Sequence, residues 1–421
     1  MPLPSPDYRE AERWLLSREL FGMRFGLDRM RRLLTVLGSP QRAFRTIHIV
    51  GTNGKSSVTR FASALLAAEG LRAGAYTSPH LVRFGERIQI EGREIDDATF
   101  ADAVARVRRA TALVERSLTE GDRVTQFEAL TAVAFLVLAE ARVEVAAIEA
   151  GLGGRFDATN VIDSEVQVLT SVGLEHTRWL GPTVADIARE KLDVVRPGAT
   201  LVCGPVPPEA EAVAERVCRE RRARLVPVGE GEGDVDGGEL AARGRFQRLN
   251  FALARRAVAC FLGRPLSALA VRRAARTTVP GRLEQIGERP LTIVDVAHNP
   301  DAVRALCASL DEVLADRRPR VAIVAILDDK DAAAMLRELG AAFDVLVLTR
   351  ATNLRSLPAA TLDTLAAKVA PAARRETAVD AHSALARARE LAGADGCVVV
   401  TGSIYLVGDL LRPPGAPPSM L

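Results

Sequence analysis

The sequence is poor in cysteine, in long apolar runs and in net charge, and each shortage argues against a class of protein. Its five cysteines are scattered without a Cys-x-x-Cys pair, so we expect buried, reduced thiols and no disulfide framework. The longest apolar stretch, Leu130 to Ala139, is too short to span a bilayer, and the first residues lack an export signal. A formal charge of +3 is small for 421 residues. We therefore expect a cytoplasmic protein with no membrane and no nucleic-acid partner.

Lysine is also scarce, because arginine supplies nearly all of the positive charge. The four lysines are Lys55, Lys191, Lys330 and Lys368. Compositional bias is one explanation. In an arginine-rich chain, however, a lysine is favoured where a guanidinium cannot replace an amine.

Alternating strand and helix patterns predict two α/β domains. A chain of this length is too long for one hydrophobic core. Short apolar runs alternate with helices before and after the proline- and glycine-containing stretch 279–290. We predict an N-terminal phosphate-loop domain with a mostly parallel sheet over residues 1–284. A smaller, Rossmann-like α/β domain is predicted over residues 285–421, with a helix from Ala302 to Leu314.

A glycine loop between a strand and a helix indicates a phosphate-binding site. Residues 48–57 are His-Ile-Val-Gly-Thr-Asn-Gly-Lys-Ser-Ser, and apolar residues fall at helical spacing from Ser57 onward. Backbone N–H groups at a helix start attract phosphate, and Lys55 adds a point charge. The first glycine, Gly51, is closer to Gly54 than in the strict Walker pattern. An ordinary glycine turn is the alternative.

Three polar residues follow neighbouring strands of the predicted sheet. Ser78 follows the strand 73–76, Glu149 ends an apolar run, and His176 follows a further strand. Ligands bind at the carboxyl ends of parallel strands, and Mg²⁺ prefers oxygen ligands such as a buried carboxylate. These residues therefore predict a Mg²⁺ site beside the phosphate loop. The alternatives are a turn role for Ser78, a salt bridge for Glu149 and a structural role for His176.

Lys191 lies in a helical Glu-Lys pair, which is ordinarily solvated surface. Every other cation within ten residues of it is arginine. An uncharged lysine amine can add CO₂ to form a carbamate, which turns a cation into a metal-binding anion.

In the second domain, Asp295, His298, Asn299 and Pro300 close a strand before a helix. An acid, a histidine and an amide together exceed what an Asn-Pro helix start requires.

Taken together, these segments resemble the folylpolyglutamate synthase/dihydrofolate synthase branch of the Mur ligase family. The resemblance covers nearly the whole chain. Its longest matching segments are 51–57, 77–81, 149–161, 176–181, 280–284, 295–300 and 401–405.

The resemblance implies ATP-dependent, ADP-forming ligation of L-glutamate to dihydropteroate, to (tetrahydro)folate polyglutamates, or to both, through an acyl phosphate. It implies a role in folate biosynthesis and retention, with ATP, one or two Mg²⁺ ions and a carbamylated Lys191. The partners would be small molecules only, and a monomer is expected. Residues 1–284 would be the ATP-binding domain and 285–421 the glutamate-ligase domain. A Mur-type ligase for a different acid and a phosphate-loop ATPase or switch protein are the alternatives.

The resemblance also implies roles for individual residues. Those expected to bind ATP are Gly51, Thr52, Asn53, Gly54, Lys55, Ser56, Ser57, Asn250, Arg282 and Asp295. Those expected to hold metal are Ser57, Ser78, Glu149 and His176. Those expected to act in catalysis are Lys55, Lys191 and His298. Those expected to line the pterin pocket are Thr125, Phe127, Asp157 and Ala158. The residue after Lys55 is usually glycine in the family, so Ser56 and Ser57 remain alternatives for the Mg²⁺-binding hydroxyl. Glu175 stands where aspartate is usual.

Overall fold

The computed structural model describes residues 6–18, 26–233 and 239–412. The chain divides into two compact units. One consists of Met1–Leu240 and Arg248–Thr277, and the other of Ala241–Gln247 and Thr278–Leu421. The second unit thus begins shortly before the predicted boundary at residue 284, and it also takes in a short earlier segment.

Each unit is built on one sheet. The strands are β1 (Arg45–Val50), β2 (Ala73–Tyr76), β3 (Ile88–Ile90), β4 (Arg93–Glu94), β5 (Val145–Glu149), β6 (Val166–Leu169), β7 (Thr200–Cys203), β8 (Arg224–Pro227), β9 (Glu284–Glu288), β10 (Leu291–Val294), β11 (Arg320–Val324), β12 (Val345–Leu348), β13 (Arg374–Thr377) and β14 (Cys397–Thr401).

Helices connect most of the parallel strands. They are α1 (Pro6–Leu16), α2 (Asp28–Val36), α3 (Lys55–Ala68), α4 (Asp97–Glu115), α5 (Gln126–Glu140), α6 (Thr177–Leu180), α7 (Val184–Leu192), α8 (Pro208–Arg221), α9 (Arg245–Leu262), α10 (Ala268–Ala274), α11 (Pro300–Cys307), α12 (Leu310–Leu314), α13 (Ala332–Ala342), α14 (Ala359–Val369), α15 (Ala381–Ala392) and α16 (Ile404–Leu411).

The first sheet has the strand order β4-β3-β2-β5-β1-β6-β7-β8. The strands from β2 to β8 in that order run parallel, and β3 and β4 add an antiparallel edge. β1 is central and buried from its second residue onward, because parallel sheets are covered by helices on both faces. The predicted α/β class is confirmed by this sheet and by the second.

The apolar stretch Leu130 to Ala139 forms most of α5, a helix buried on nearly every side. It packs against α4 and α2 in the core of the first unit. The Thr125 hydroxyl caps its first turn by accepting from the Glu128 N–H, and the Glu128 carboxylate accepts from the Thr125 N–H. Among residues 6–18, 26–233 and 239–412, no helix is long and apolar enough to cross a membrane.

The second sheet has the order β13-β12-β11-β14-β10-β9, with only β9 antiparallel. The predicted single helix from Ala302 to Leu314 is wrong, since α11 ends at Cys307 and α12 begins at Leu310. Ser309 lies fully buried between them, where its hydroxyl donates to the Ala305 carbonyl and accepts from the Arg245 N–H. A serine that bonds backbone groups in this way competes with regular helix geometry.

Candidate active site

The order β2-β5-β1-β6 places four predicted segments side by side. Because these strands are parallel, their carboxyl ends lie at the same edge of the sheet. Ser78 follows β2, Glu149 ends β5, the phosphate loop follows β1, and His176 lies beyond β6. This edge is where an open parallel sheet binds its ligands.

The phosphate loop takes a conformation that favours glycine at both of its glycine positions. Gly51 has φ +153°, and a Cβ there would lie 1.9 Å from Thr170 Oγ1. Gly54 has φ +87°, and a Cβ there would lie 2.5 Å from Asn250 Oδ1. The Asn250 side chain therefore packs directly against the phosphate loop. Asn250 and this loop were both expected to bind ATP. The helix begins at Lys55, two residues before the apolar periodicity starts, and its first turn is polar.

The loop is anchored by two residues that the sequence analysis did not single out. Thr170 Oγ1 donates to the Asn53 carbonyl at 2.6 Å. Ser171 Oγ accepts from the Asn53 N–H at 2.9 Å and donates to its carbonyl at 3.1 Å. Thr52 exchanges hydrogen bonds with Gly173 through its hydroxyl. The only sequence signal for these anchors was a pair of hydroxyl residues directly after a buried strand.

We predict that Gly54→Ala weakens ATP binding at least about tenfold in KM, because φ +87° is unfavourable for alanine and the methyl group meets Asn250. Gly70→Ala is the matched control. Gly70 follows the other end of α3, has φ +93° and has open space around the Cβ position. Both variants should lose about 1 kcal/mol of unfolding free energy. Steady-state kinetics that show equal KM values for ATP in the two variants would contradict the assigned role of the loop.

Glu149 organises the polar end of β5. Its carboxylate is buried, with 1% of the residue exposed. Oε1 accepts from the Ser56 hydroxyl at 2.9 Å, and Oε2 accepts from the Ser78 N–H at 3.0 Å. The structure therefore brings Ser56 to Glu149. Ser57, in contrast, is 1% exposed within the first turn of α3. Glu149 is equally buried, so burial does not separate the two hydroxyls, and Ser56 and Ser57 stay alternatives for the metal-binding hydroxyl.

The residues around Glu149 fit a magnesium ion that is held mainly by phosphate and water. In the part of the chain that the structure describes, no group of three or more His, Cys, Asp or Glu side chains is arranged to hold a metal. One buried carboxylate with neighbouring serine hydroxyls is not an all-protein cage. It does match Mg²⁺, which usually takes one or two carboxylates together with substrate phosphates.

His176 lies on the loop after β6, in the left-handed conformation with φ +53°. Its side chain is 36% exposed, and Nε2 lies 3.8 Å from Glu175 Oε1. Glu175 is one of the residues that depart from the family pattern, and its carboxylate lies beside the predicted histidine ligand.

Lys191 is buried, with 4% of the residue exposed, and its Nζ donates to the Gly51 carbonyl at 2.8 Å. This contact brings α7 to the first glycine of the phosphate loop. Burial lowers the pKa of Lys191 to about 7, and the charge of Lys55 adds to this effect. The carboxylates of Glu175 and Asp157 act in the opposite direction. Lys55 itself donates from Nζ to the Thr52 carbonyl at 3.0 Å.

Three of the four residues expected to line the pterin pocket, Phe127, Asp157 and Ala158, lie near the glycine turn after β5. A Cβ on Gly151 would lie 2.6 Å from the Phe127 ring, so the ring covers that turn closely. Asp157 accepts from the Leu152 N–H in the same turn, and Ala158 begins the 3₁₀ turn Ala158–Val161. The Thr125 hydroxyl is engaged with Glu128 in the helix cap.

In the second unit, Asp295 is buried and accepts from the N–H groups of Ala297 at 2.9 Å and Leu283 at 3.0 Å. Burial raises the pKa of Asp295, and the positive charge of Arg282 opposes that rise. His298 Nδ1 lies 2.9 Å from the Val296 carbonyl oxygen. Because a carbonyl oxygen only accepts, Nδ1 carries a hydrogen.

Comparison with known proteins identifies the family of the chain. Residues 281–404 match the family described as Mur ligase, glutamate ligase domain. The folylpolyglutamate synthase of Lacticaseibacillus casei is 36% identical, over 89% of this chain and 92% of its own length. The dihydrofolate synthase/folylpolyglutamate synthase of Mycobacterium tuberculosis is 35% identical, over 91% of this chain and 88% of its own length.

The fold agrees as well. The structure of Mycobacterium tuberculosis folylpolyglutamate synthase complexed with ADP superposes with a TM-score of 0.90 at 32% identity, over 98% of this chain and 99% of the other. The prediction made from the sequence is thereby confirmed. The chain belongs to the folylpolyglutamate synthase/dihydrofolate synthase family, a branch of the Mur ligases whose members are ADP-forming, ATP-dependent ligases of glutamate.

Proposed function

We propose that this chain activates the carboxylate of a pterin-containing acid with ATP and then joins it to the α-amine of L-glutamate. The carboxylate oxygen bonds to the γ-phosphorus as the bond to the bridging oxygen of ADP breaks. The amine nitrogen then attacks the acyl carbon, phosphate leaves, and the amine proton passes to solvent. The observation that supports this reaction best is the placement of Glu149 and Ser56 at the carboxyl end of the sheet, beside the phosphate loop.

The loop would supply the electrostatic part of phosphoryl transfer. The start of α3 presents backbone N–H groups, and Lys55 lies at its first position. Preorganised donors that face developing charge are worth far more in a site closed to water than in solution. The Lys55 ammonium, which donates to Thr52 in this structure, is within reach of the loop that would cradle the phosphates.

We propose that Ser78, Glu149, His176 and either Ser57 or Ser56 lie around one or two Mg²⁺ ions. Bound Mg²⁺ would neutralise charge on the transferring phosphoryl group. Glu149 supplies the buried charge, while Ser56 and Ser78 orient its carboxylate oxygens.

We further propose that Lys191 is carbamylated. The nitrogen lone pair of the neutral lysine amine would form a bond to the carbon of CO₂, with release of one proton from nitrogen. The buried position of Lys191 and its contact with Gly51 place such a carbamate next to the phosphate loop. A lysine whose pKa is lowered to about 7 holds a substantial neutral fraction at that pH.

Phe127, Asp157 and Ala158 would contact the pterin ring, with Thr125 fixing the start of α5 beneath it. Asn250 would contact the nucleotide from its position against Gly54. In the second unit, we propose that Arg282 and Asp295 contact the nucleotide and that His298 contacts the reacting groups.

The similar proteins carry both activity names, so dihydropteroate and folate polyglutamates are both proposed acceptors. A cytoplasmic monomer with small-molecule partners alone stays a prediction.

The products decide between this reaction and its rivals. We predict ADP and phosphate release that requires Mg²⁺, L-glutamate and a pterin-benzoate acid together, measured by a coupled ADP assay over a panel of acids. A phosphate-loop ATPase or switch protein would release ADP without the amino acid, and a different Mur-type ligase would respond to another acid in the panel. Detection of AMP and pyrophosphate would rule out the acyl-phosphate route.

A further inference from the structure

A buried histidine that the proposed chemistry does not use lies in the middle of β1. His48 is fully buried, with β5 on one side of its strand and β6 on the other. Burial lowers the pKa of His48 to about 3, so the ring is neutral. Its Nε2 lies 2.8 Å from Thr159 Oγ1, although the two residues are 111 positions apart in the chain.

The hydrogen-bond directions in this cluster follow from the Thr159 contacts. The Thr159 hydroxyl donates to Asp157 Oδ1 at 2.5 Å. A hydroxyl has one hydrogen, so its oxygen can only accept from the imidazole. His48 Nε2 must therefore carry the ring hydrogen. The result is a directed chain in which the His48 N–H donates to Thr159 and the Thr159 O–H donates to Asp157.

This directed chain ends on Asp157, the buried carboxylate that is proposed above to contact the pterin ring. Asp157 also accepts from the Thr159 N–H at 2.9 Å and, through Oδ2, from the Leu152 N–H at 2.9 Å. Burial raises the pKa of Asp157, and these donors oppose the rise. Hydrogen bonds to the charged form of a carboxylate favour that form and fix its orientation.

We propose that His48 and Thr159 are positioning residues that hold Asp157 as a fixed, acceptor-only carboxylate for the N–H donors of the substrate's ring. The inference rests on the proposed pterin pocket. It adds two residues that determine specificity indirectly, one of them on the central strand β1. The class of ligand recognised is a flat heterocycle with adjacent ring or amino N–H groups, since an ionised carboxylate can only accept. A ring that presents acceptors at that edge would be rejected.

A purely structural role is the competing explanation. His48 and Thr159 would then only fasten β1 to the 3₁₀ turn Ala158–Val161, and their loss would lower stability alone. Matched pairs of variants separate the two roles. Thr159→Val removes the hydroxyl with little change in shape, whereas Thr159→Ser keeps it. His48→Leu removes the donor, whereas His48→Gln keeps an amide N–H near the position of Nε2.

Full-length variants are compared by KM for the pterin-benzoate acid, for ATP and for L-glutamate, with melting temperature measured alongside. Thr159→Val is expected to raise KM for the pterin acid about ten- to hundredfold, the effect of losing one hydrogen bond to a charged group. KM for ATP and L-glutamate should stay within about twofold, since neither ligand meets this carboxylate. Thr159→Ser should restore KM for the acid. His48→Leu should raise KM for the acid less than Thr159→Val does, and His48→Gln should restore it. In the Thr159→Val background, His48→Leu should raise KM for the acid little further, because both residues act through the same hydrogen-bond chain.

The proposal is overturned if Thr159→Val lowers the melting temperature but leaves KM for the pterin acid unchanged, or if it raises all three KM values equally. Asp157→Asn distinguishes this failure from failure of the pocket itself. If Asp157→Asn raises KM for the acid and Thr159→Val does not, the pocket stands and the positioning role is wrong. If Asp157→Asn has no effect on that KM, the pocket assignment is wrong and the positioning role falls with it.

Discussion

Glu149→Ala is expected to lower kcat by about two to three orders of magnitude, the range seen when one preorganised charge-stabilising group is removed from an active site. Glu149 is the buried carboxylate that meets both the Ser56 hydroxyl and the Ser78 N–H. Without it the proposed Mg²⁺ would lose a buried anionic ligand, and both donors would lose their partner. Single-turnover kinetics at saturating ATP and Mg²⁺ measure the effect on the chemical step.

The control for Glu149→Ala is Glu165→Ala. Glu165 lies just before β6, at the opposite edge of the same sheet, and pairs with Arg45 on the surface. Loss of an exposed ion pair costs at most about 1 kcal/mol of stability, so this variant should keep kcat within about twofold. Near-normal turnover by a folded Glu149→Ala protein would show that the metal site lies elsewhere.

Lys191→Arg is expected to fold normally and to be nearly inactive, with kcat reduced about a hundredfold or more. A guanidinium stays protonated in proteins and cannot add CO₂. The buried amine beside Gly51 would then be replaced by a permanent cation next to Lys55. Circular dichroism and melting temperature test folding, and turnover in bicarbonate-containing and CO₂-depleted buffers tests the carbamate.

Two further variants sharpen this test. Lys191→Ala should regain part of its activity with formate, acetate or propionate, because a short carboxylic acid can supply the missing oxygens. Lys368→Arg makes the same exchange at an exposed position on α14 and should leave turnover unchanged. Full activity of Lys191→Arg in CO₂-depleted buffer would show that the lysine acts only as a charge.

Local sequence was sufficient to predict secondary structure where the residues that specify an element are contiguous in the chain. The strand, the glycine turn and the helix around residues 45–68 were predicted because the apolar run, the glycines and the helical spacing are contiguous. β2 was likewise predicted with the bounds that the structure shows. β9 and β13 were not predicted because they are polar, and they form strands by pairing with β10 and β12 at the sheet edges.

The candidate site residues were identified from motifs, but their partners were not. Sequence alone left Ser56 and Ser57 as alternatives, since the choice depends on which side of α3 faces β5. Lys191 was singled out by arginine-rich surroundings, while its contact with Gly51 joins residues 140 positions apart. His48 looked like one more residue of a buried strand, and its neighbour Thr159 lies in a turn after a different strand.

By itself, then, the sequence determined the family, the class of reaction and the segments that form the site, because short-range patterns of glycine, apolar residues and charge specify loops and elements. Only the tertiary structure decided which side chains meet: Ser56 with Glu149, Asn250 with Gly54, and His48 with Thr159 and Asp157. The physical reason is that hydrogen bonds and burial depend on distances of a few ångströms between strands far apart in the chain. Strand order and helix phase set those distances.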